Sequence, residues 1–96
     1  IETSVRSNLP ITTVLLNNGG MATYPGGFPN AREKFGVSYM KGDYAQIAEG
    51  MGAKGIVVKS IEELRSSIKD AMYENKNGNT VLIDVHTGYD DKRSKW

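Results

Sequence analysis

The clearest periodic pattern of apolar positions lies between Ser60 and Lys76. Within it the apolar residues recur at spacings of three and four, which is the repeat of one helix face. They are Ile61, Leu64, Ile68, Ala71 and Met72. Ser60 and Glu63 have the spacing of a capping box, and Asn77-Gly78 is a typical helix stop. The pattern therefore predicts a helix that ends at about Lys76.

Three short apolar runs have the composition of buried β-strands. They are residues 9–16, residues 54–59 around Ile56-Val57-Val58, and residues 80–85. Each run places apolar residues at consecutive positions instead of alternating them with polar ones. This pattern is typical of strands covered on both faces, as in a parallel sheet.

A second helix is predicted after Asp43. Asp43 and Gln46 repeat the capping-box spacing, and Ala45, Ile47, Ala48 and Met51 supply apolar positions. Gly50 and Gly52 are expected to end this helix.

The rest of the N-terminal half has weaker patterns. Residues 17–42 are rich in Gly, Asn and Pro and show no sustained period, so we expect a long loop with a short helix around Ala31–Phe35. Residues 1–8 carry no strong pattern and fit the tail of a helix that starts before them.

The order of the predicted elements is strand, long loop, helix, strand, helix, strand. Alternation of this kind predicts an α/β fold in which helices cover both faces of a parallel sheet, giving three layers. Open sheets of this class usually have five or six strands, and three strands would leave both edges unpaired. We therefore expect residues 1–96 to be part of a larger domain and a fragment of a larger chain.

Charge and composition exclude several functional classes. Twelve basic and eleven acidic residues give a formal net charge of +1, which argues against a nucleic-acid partner recognised by overall charge. No apolar run approaches the roughly 18–20 residues of a membrane span. The absence of cysteine excludes disulfides and thiolate metal sites. These features favour a cytoplasmic globular protein with neither nucleic acid nor membrane as its partner.

The segment whose residues are best suited to binding a ligand follows the first predicted strand: Asn17-Asn18-Gly19-Gly20. Ligands of open α/β sheets bind beyond the carboxyl ends of the strands. Carboxamide and backbone carbonyl oxygens are hard ligands suited to Mg²⁺, and glycines let a backbone approach a phosphate closely. Asn-Gly is also ordinary turn chemistry, so the residues alone leave a plain turn open as the alternative.

A strand that ends in Asn-Asn, followed by glycines and a hydrophobic residue, resembles the second half of the thiamine-diphosphate motif. The motif belongs to the superfamily that includes acetolactate synthase and oxalyl-CoA decarboxylase. The likeness continues through the Asp43–Gly52 segment, Ser60–Leu64 and the last strand, and so covers about Leu9 to Val85. It identifies the chain as similar to the C-terminal half of the diphosphate-binding domain.

The resemblance implies roles for individual residues. Asn18 would give its side-chain oxygen and Gly20 its backbone carbonyl to Mg²⁺, while Gly19, Gly20 and Met21 would lie against the diphosphate of the cofactor. Tyr24 and Phe28 would belong to a loop that reaches the substrate, with a mobile surface loop as the equal alternative. No catalytic residue is implied within this chain.

The resemblance also implies what the chain lacks. The family's motif begins with Gly-Asp-Gly, whose aspartate binds the metal, and these 96 residues contain no such sequence. The pyrimidine-binding domain, with the glutamate that promotes formation of the reactive ylide, is missing as well. We therefore expect the remainder of the enzyme to be the partner of this segment, the segment alone to be inactive, and the whole to be a homodimer or homotetramer.

The function that the resemblance implies is a thiamine-diphosphate- and Mg²⁺-dependent decarboxylase or carboligase that acts on 2-oxo acids, similar to acetolactate synthase. The alternative within the superfamily is an enzyme similar to oxalyl-CoA decarboxylase or 2-hydroxyacyl-CoA lyase. From other classes, a non-catalytic flavodoxin-like module remains open, as does, more weakly, a phosphate-ester-binding regulatory domain.

Three further features are interpreted more simply. His86 is the only histidine, and we expect an ordinary surface or turn role for it just beyond the last strand. Asp84 is expected to be paired or at a sheet edge, not catalytic. The basic tail that holds Lys92, Arg93 and Lys95 is expected to be a terminus, with a lid over the active site as the weaker alternative.

Overall fold

The computed structural model describes residues 1–20, 29–36 and 39–88. Seven elements follow one another along these residues. They are α1 (Glu2–Arg6), β1 (Thr12–Asn17), α2 (Pro29–Phe35), α3 (Tyr44–Gly50), β2 (Lys54–Val58), α4 (Ile61–Lys76) and β3 (Val81–His86). The predicted order of elements is confirmed, and α1 lies in the segment that was predicted to be the tail of a helix. Strand β1 begins three residues later than predicted, and β1 and β3 each end one residue later.

The three strands form a parallel sheet in the order β1-β3-β2. Because β3 lies in the centre, its first five residues are buried on both faces of the sheet. Val81, Ile83 and Val85 face α4 and pack with Val58 and Ala71. This arrangement makes β3 the core of the described domain and explains why four of its first five residues are apolar, with Asp84 as the exception.

The opposite face of the sheet is covered by α1 and α3. There Leu82 of β3 packs with Ala48 and Ala53, and Val5 and Tyr44 complete the cluster. Together with α4 on the first face, these helices give the three-layer α/β arrangement that the sequence predicts.

Strand β1 differs from its prediction as a strand buried on both faces. It lies at an edge of the described sheet, and its side chains alternate between exposed and half-buried. Leu16 is 70% exposed and Val14 is 48% exposed. Helix α4 lies over β3 and β2 more than over β1, so these two side chains are left without cover among the described residues.

The predicted apolar face of α4 is also only partly buried. Ile61, Ile68 and Met72 are exposed, whereas the buried Ser67 and Ala71 and the half-buried Leu64 are on the side of the helix that meets the sheet. The small side chains of Ser67 and Ala71 let the helix approach the strands closely, which leaves Ile61, Ile68 and Met72 at the rim. Ile47 and Met51 of the α3 segment are exposed for a similar reason, since Ala45 and Ala48 make its contact with the sheet.

Both predicted helix starts are confirmed. The Asp43 side chain accepts a hydrogen bond from the Gln46 N–H at 2.9 Å, and the Ser60 hydroxyl accepts one from the Glu63 N–H at 3.2 Å. The Glu63 carboxylate accepts a bond at 2.6 Å from the N–H of Lys59, one residue before the cap. Side chains therefore satisfy backbone donors on either side of the start of α4.

Replacing Ser60 with alanine is expected to cost about 1 kcal/mol of stability, because the Glu63 N–H loses its acceptor at the start of α4. Urea denaturation of the full-length protein would measure the change. Ser66→Ala is the matched control, since Ser66 is exposed in the helix interior and bonds only to the Glu63 carbonyl. An equal loss in both variants would contradict the capping role.

None of the helices in the described ranges is long and apolar enough to cross a membrane.

Candidate functional site

The carboxyl ends of β1 and β3 meet at one edge of the sheet. Asn17, the last residue of β1, pairs in register with His86, the last residue of β3. The Thr87 N–H donates a hydrogen bond of 2.8 Å to the Asn17 carbonyl and fixes this junction. The structure thus brings the Asn-Asn-Gly-Gly segment and the only histidine to the same edge, which the sequence analysis did not foresee.

The segment after β1 folds as two successive turns. The Asn17 side-chain oxygen accepts a hydrogen bond from the Gly19 N–H at 3.1 Å, and the Asn18 oxygen accepts one from the Gly20 N–H at 3.0 Å. Gly19 has a φ of 66°, a conformation that glycine adopts without steric cost. The turn interpretation of the sequence is therefore accurate for the local backbone, and it leaves the amide oxygens at the carboxyl end of β1.

The turns are held in place by a segment twenty residues further along the chain. The Met40 N–H donates to the Gly19 carbonyl at 3.0 Å, and Gly20 forms an antiparallel bridge with Tyr39. This contact ties the loop to the residues that lead into α3. Hydrogen bonds within the turns and backbone contacts with Tyr39 and Met40 therefore both hold the two glycines in position.

Two clefts adjoin the turns. One, of about 380 Å³, is lined by polar and basic residues: Asn17, Asn18, Gly19, Met40, Lys41, Gly42, His86 and Thr87. The other, of about 210 Å³, is more apolar because Leu15, Leu16 and Tyr44 contribute to its walls. Asn17, Asn18, Gly19 and Met40 belong to both. The loop is therefore the shared wall of two adjoining clefts of different polarity.

The oxygens available for a metal ion are the Asn18 side-chain oxygen and the Gly20 carbonyl. Both are hard donors of the kind that Mg²⁺ takes, and Asn18 is exposed. The hydrogen bond from the Gly20 N–H occupies one lone pair of the Asn18 oxygen, and a second lone pair remains. No group of three or more His, Cys, Asp or Glu side chains stands ready for a metal within the described ranges. These residues fit part of a magnesium–diphosphate site and need further ligands.

Comparison with known proteins identifies the family. Residues 1–85 match the sequence model of the thiamine pyrophosphate enzyme C-terminal TPP-binding domain. The chain belongs to this family.

Three relatives show the range of enzymes in which the domain occurs. The chain is 36% identical over 94 residues to YdaP of Bacillus subtilis, a protein named for containing thiamine pyrophosphate, which covers 92% of this chain. It is 33% identical to a sulfoacetaldehyde acetyltransferase of Alcaligenes xylosoxydans xylosoxydans over 88% of the chain. It is 28% identical to a 2-hydroxyacyl-CoA lyase of Arabidopsis thaliana over 97% of the chain.

The chain spans only a small part of these relatives: 15% of YdaP, 15% of the acetyltransferase and 18% of the lyase. The predicted membership of the thiamine-diphosphate superfamily is confirmed, as is the assignment to the C-terminal domain. A flavodoxin-like module outside this family is thereby set aside.

Two of the three site segments predicted in this TPP-binding domain fall outside the described residues. Met21, Tyr24 and Phe28 lie between residues 20 and 29, and the basic tail with Lys92, Arg93 and Lys95 follows residue 88. Asn18, Gly19 and Gly20 are the predicted site residues that the structure describes.

Three residues near the turns were missed by the sequence analysis. Met40 and Lys41 line the larger cleft and Tyr44 lines the smaller one. Nothing in the local sequence marks Met40 or Lys41, because the bond that brings them to Gly19 joins residues far apart in the chain. The position of Tyr44 could have been predicted, because it directly follows the helix cap Asp43 at the end of the long loop.

The expectation for His86 needs correction. His86 is the last residue of β3 and not a residue beyond it, and its side chain is 44% exposed. Its Nε2 lies 3.3 Å from Oδ2 of Asp84, whose side chain is 1% exposed. The expected pairing of Asp84 is confirmed, but its place is the central strand and not a sheet edge.

Proposed function

We propose that the chain is the C-terminal part of the TPP-binding domain of a larger enzyme that depends on thiamine diphosphate and Mg²⁺. The observation that carries the proposal is the double turn Asn17–Gly20, which lies at the carboxyl end of a parallel strand in a chain of this family. Asn18 and Gly20 would hold the metal, and Gly19, Gly20 and Met21 would lie against the diphosphate.

When bound, the cofactor supplies the carbanion-stabilising chemistry, and the protein supplies position and electrostatics. Within this chain the turns fix where the Asn18 oxygen stands, and the Tyr39–Met40 segment holds the glycine backbone against movement. The chain would contribute one side of the metal–diphosphate contact. An aspartate from a Gly-Asp-Gly segment elsewhere in the enzyme would contribute the other, so we expect the 96 residues alone to be inactive.

The proposed reaction is decarboxylation or carboligation of small 2-oxo acids, similar to that of acetolactate synthase. A lyase acting on 2-hydroxyacyl-CoA is the second candidate, because a relative with that name matches 97% of the chain. The related sulfoacetaldehyde acetyltransferase supports group transfer more generally. The enzyme is proposed to be cytoplasmic and to work as a homodimer or homotetramer.

The proposal is tested on the full-length protein. We expect it to retain about one thiamine diphosphate per chain after gel filtration in the presence of Mg²⁺, and to lose it when the metal is chelated. The cofactor can be quantified by mass spectrometry of the denatured protein, and apoprotein titrated with thiamine diphosphate and Ca²⁺ provides the control for metal selectivity. A protein that binds no thiamine diphosphate with or without added metal would refute the proposal.

Turnover assays separate the two reaction classes. Consumption of pyruvate with release of CO₂ would support the synthase-like assignment. Cleavage of a 2-hydroxyacyl-CoA without consumption of pyruvate would support the lyase-like assignment.

A further inference from the structure

The pair formed by Asp84 and His86 has no part in the function proposed so far. The Asp84 carboxylate is buried in the central strand, and its Oδ1 has no hydrogen-bond partner among the described residues. Its Oδ2 is 3.3 Å from His86 Nε2, which is the one side-chain contact described for this carboxylate. Burial of an unpaired carboxylate costs free energy, so the contact with Asp84 favours the observed position of the imidazole.

The strand geometry places His86 at the cleft. Asp84 and His86 are two residues apart on β3 and therefore point to the same face of the sheet. His86 pairs across the sheet with Asn17, and it lines the 380 Å³ cleft together with Asn17, Asn18 and Gly19. Asp84 lies two residues earlier in β3, between Leu15 of β1 and Val57 of β2. The carboxylate is thus the buried support and the imidazole is the half-exposed group.

The other groups on the cleft walls favour a negatively charged ligand. Lys41 adds an ammonium group, Thr87 a hydroxyl, and Asn17 and Asn18 add amides. No carboxylate is among the described residues that line the cleft. Basic and amide donors in a wall without a carboxylate are the set that binds phosphate and carboxylate oxygens.

We propose that Asp84 orients His86 so that the imidazole contacts an anionic oxygen group, phosphate or carboxylate, of the ligand held in this cleft. Nε2 is directed to Asp84, which leaves Nδ1 as the ring atom for the ligand; with an N–H on each ring nitrogen, His86 donates to Asp84 through Nε2 and to the anion through Nδ1. Asp84 is a positioning residue and His86 is the contact. The inference rests on the proposed function and adds a contact from the end of β3 to those proposed for Asn18 and Gly20.

The test uses full-length apoenzyme and two variants that remove the imidazole. His86→Gln keeps an amide beside Asp84. The double variant Asp84→Val/His86→Ala removes the buried charge together with its partner, and a β-branched residue suits the buried strand position. Binding of magnesium pyrophosphate is measured by calorimetry, and KM is measured at saturating thiamine diphosphate with pyruvate as the first substrate tried. Lys76→Ala, an exposed basic residue at the end of α4, is the control and should change neither value by more than about twofold.

A rise of about tenfold in the pyrophosphate Kd of both variants is expected if the anion is the cofactor's diphosphate. A similar rise in KM with an unchanged Kd is expected if the anion belongs to the substrate. Either result supports the inference and assigns the anion. If both values stay within twofold of wild type in either folded variant, the inference is overturned.

The positioning role of Asp84 has its own readout. Asp84→Asn should weaken the same constant in an otherwise wild-type protein and should have no further effect when His86 is already glutamine. An equal effect of Asp84→Asn in both backgrounds would show a purely structural role. The pyrophosphate measurement tests the cleft independently of the cofactor, because pyrophosphate contains no thiamine. If thiamine diphosphate fails to bind but the pyrophosphate Kd changes as expected, the proposed function is refuted and the role of His86 is not.

Discussion

Replacing Asn18 with alanine in the full-length enzyme is expected to weaken Mg²⁺-dependent binding of thiamine diphosphate by roughly 100-fold. Loss of residues that only support metal ligands already costs roughly 10- to 100-fold, and Asn18 is proposed as a ligand itself. The reason is the loss of one hard oxygen from a site to which the chain contributes few ligands. Cofactor affinity is measured by titrating apoenzyme with thiamine diphosphate at fixed Mg²⁺ concentrations.

The neighbouring asparagine supplies a matched control for this prediction. Asn17 and Asn18 each accept one backbone hydrogen bond, from Gly19 and Gly20 respectively, so alanine at either position removes one turn contact of the same kind. Asn17→Ala should therefore report the cost of losing one turn bond and one cleft amide while the proposed metal oxygen of Asn18 stays in place, which we expect to be at most about 1 kcal/mol. Similar losses of affinity in the two variants would mean that the turn matters and the ligand does not.

Asn18→Asp sharpens the comparison. Aspartate keeps both the turn acceptor and a hard oxygen at the same position, so we expect most of the affinity that Asn18→Ala loses to be retained. The apparent affinity for Mg²⁺, measured at saturating thiamine diphosphate, is the quantity to compare. A variant as weak as Asn18→Ala would argue against direct coordination by this side chain.

Local side-chain chemistry explains why the helix starts could be predicted. Asp43 and Ser60 bond to backbone N–H groups three residues ahead of them, so the spacing in the sequence contains the whole interaction. The Asn-Gly turns were predictable for the same reason, since each bond spans two residues. Features set by contacts within one turn of chain can be read without knowing the fold.

Burial on the helices and on β1 could not be predicted in this way. The periodicity of α4 marks Ile68 and Met72 as apolar positions alongside Leu64 and Ala71. The contact with the sheet is made by Leu64, Ser67 and Ala71 instead. Which side of an apolar stripe meets the strands depends on how closely the helix approaches, and that depends on the small residues. The strand β1 has the composition of a buried strand, whereas its place in the described sheet is an edge.

The candidate site was predicted on one strand and missed on the other. The difference at β3 is a single residue: with the strand ending at Val85, His86 belongs to a loop, and with the strand ending at His86 it shares a face with Asp84. The period of two then links a buried carboxylate to a half-exposed imidazole. The strand extends to His86 because this residue pairs with Asn17 of β1, a contact between residues far apart in the chain that no local pattern contains.

Gly55→Ala is expected to lower the free energy of unfolding by about 3 kcal/mol, the upper part of the usual range for overpacking. A Cβ atom at Gly55 would lie 2.4 Å from the Ala45 carbonyl oxygen and 2.8 Å from its carbon, which are backbone atoms of α3. Backbone cannot rotate away as a flexible side chain can, so α3 must move off the sheet. Urea denaturation of the full-length protein, followed by circular dichroism, measures the change.

Gly50→Ala separates this packing effect from the general effect of replacing a glycine. Gly50 is the last residue of α3, and a Cβ there would meet nothing within 4 Å. Alanine in a helix is favoured over glycine, so this variant should be neutral or more stable by up to about 1 kcal/mol. Equal destabilisation in both variants would refute close packing of α3 on β2. Because Tyr44 at the start of α3 lines the smaller cleft, the displacement in Gly55→Ala should also weaken cofactor binding, whereas Gly50→Ala should leave it unchanged.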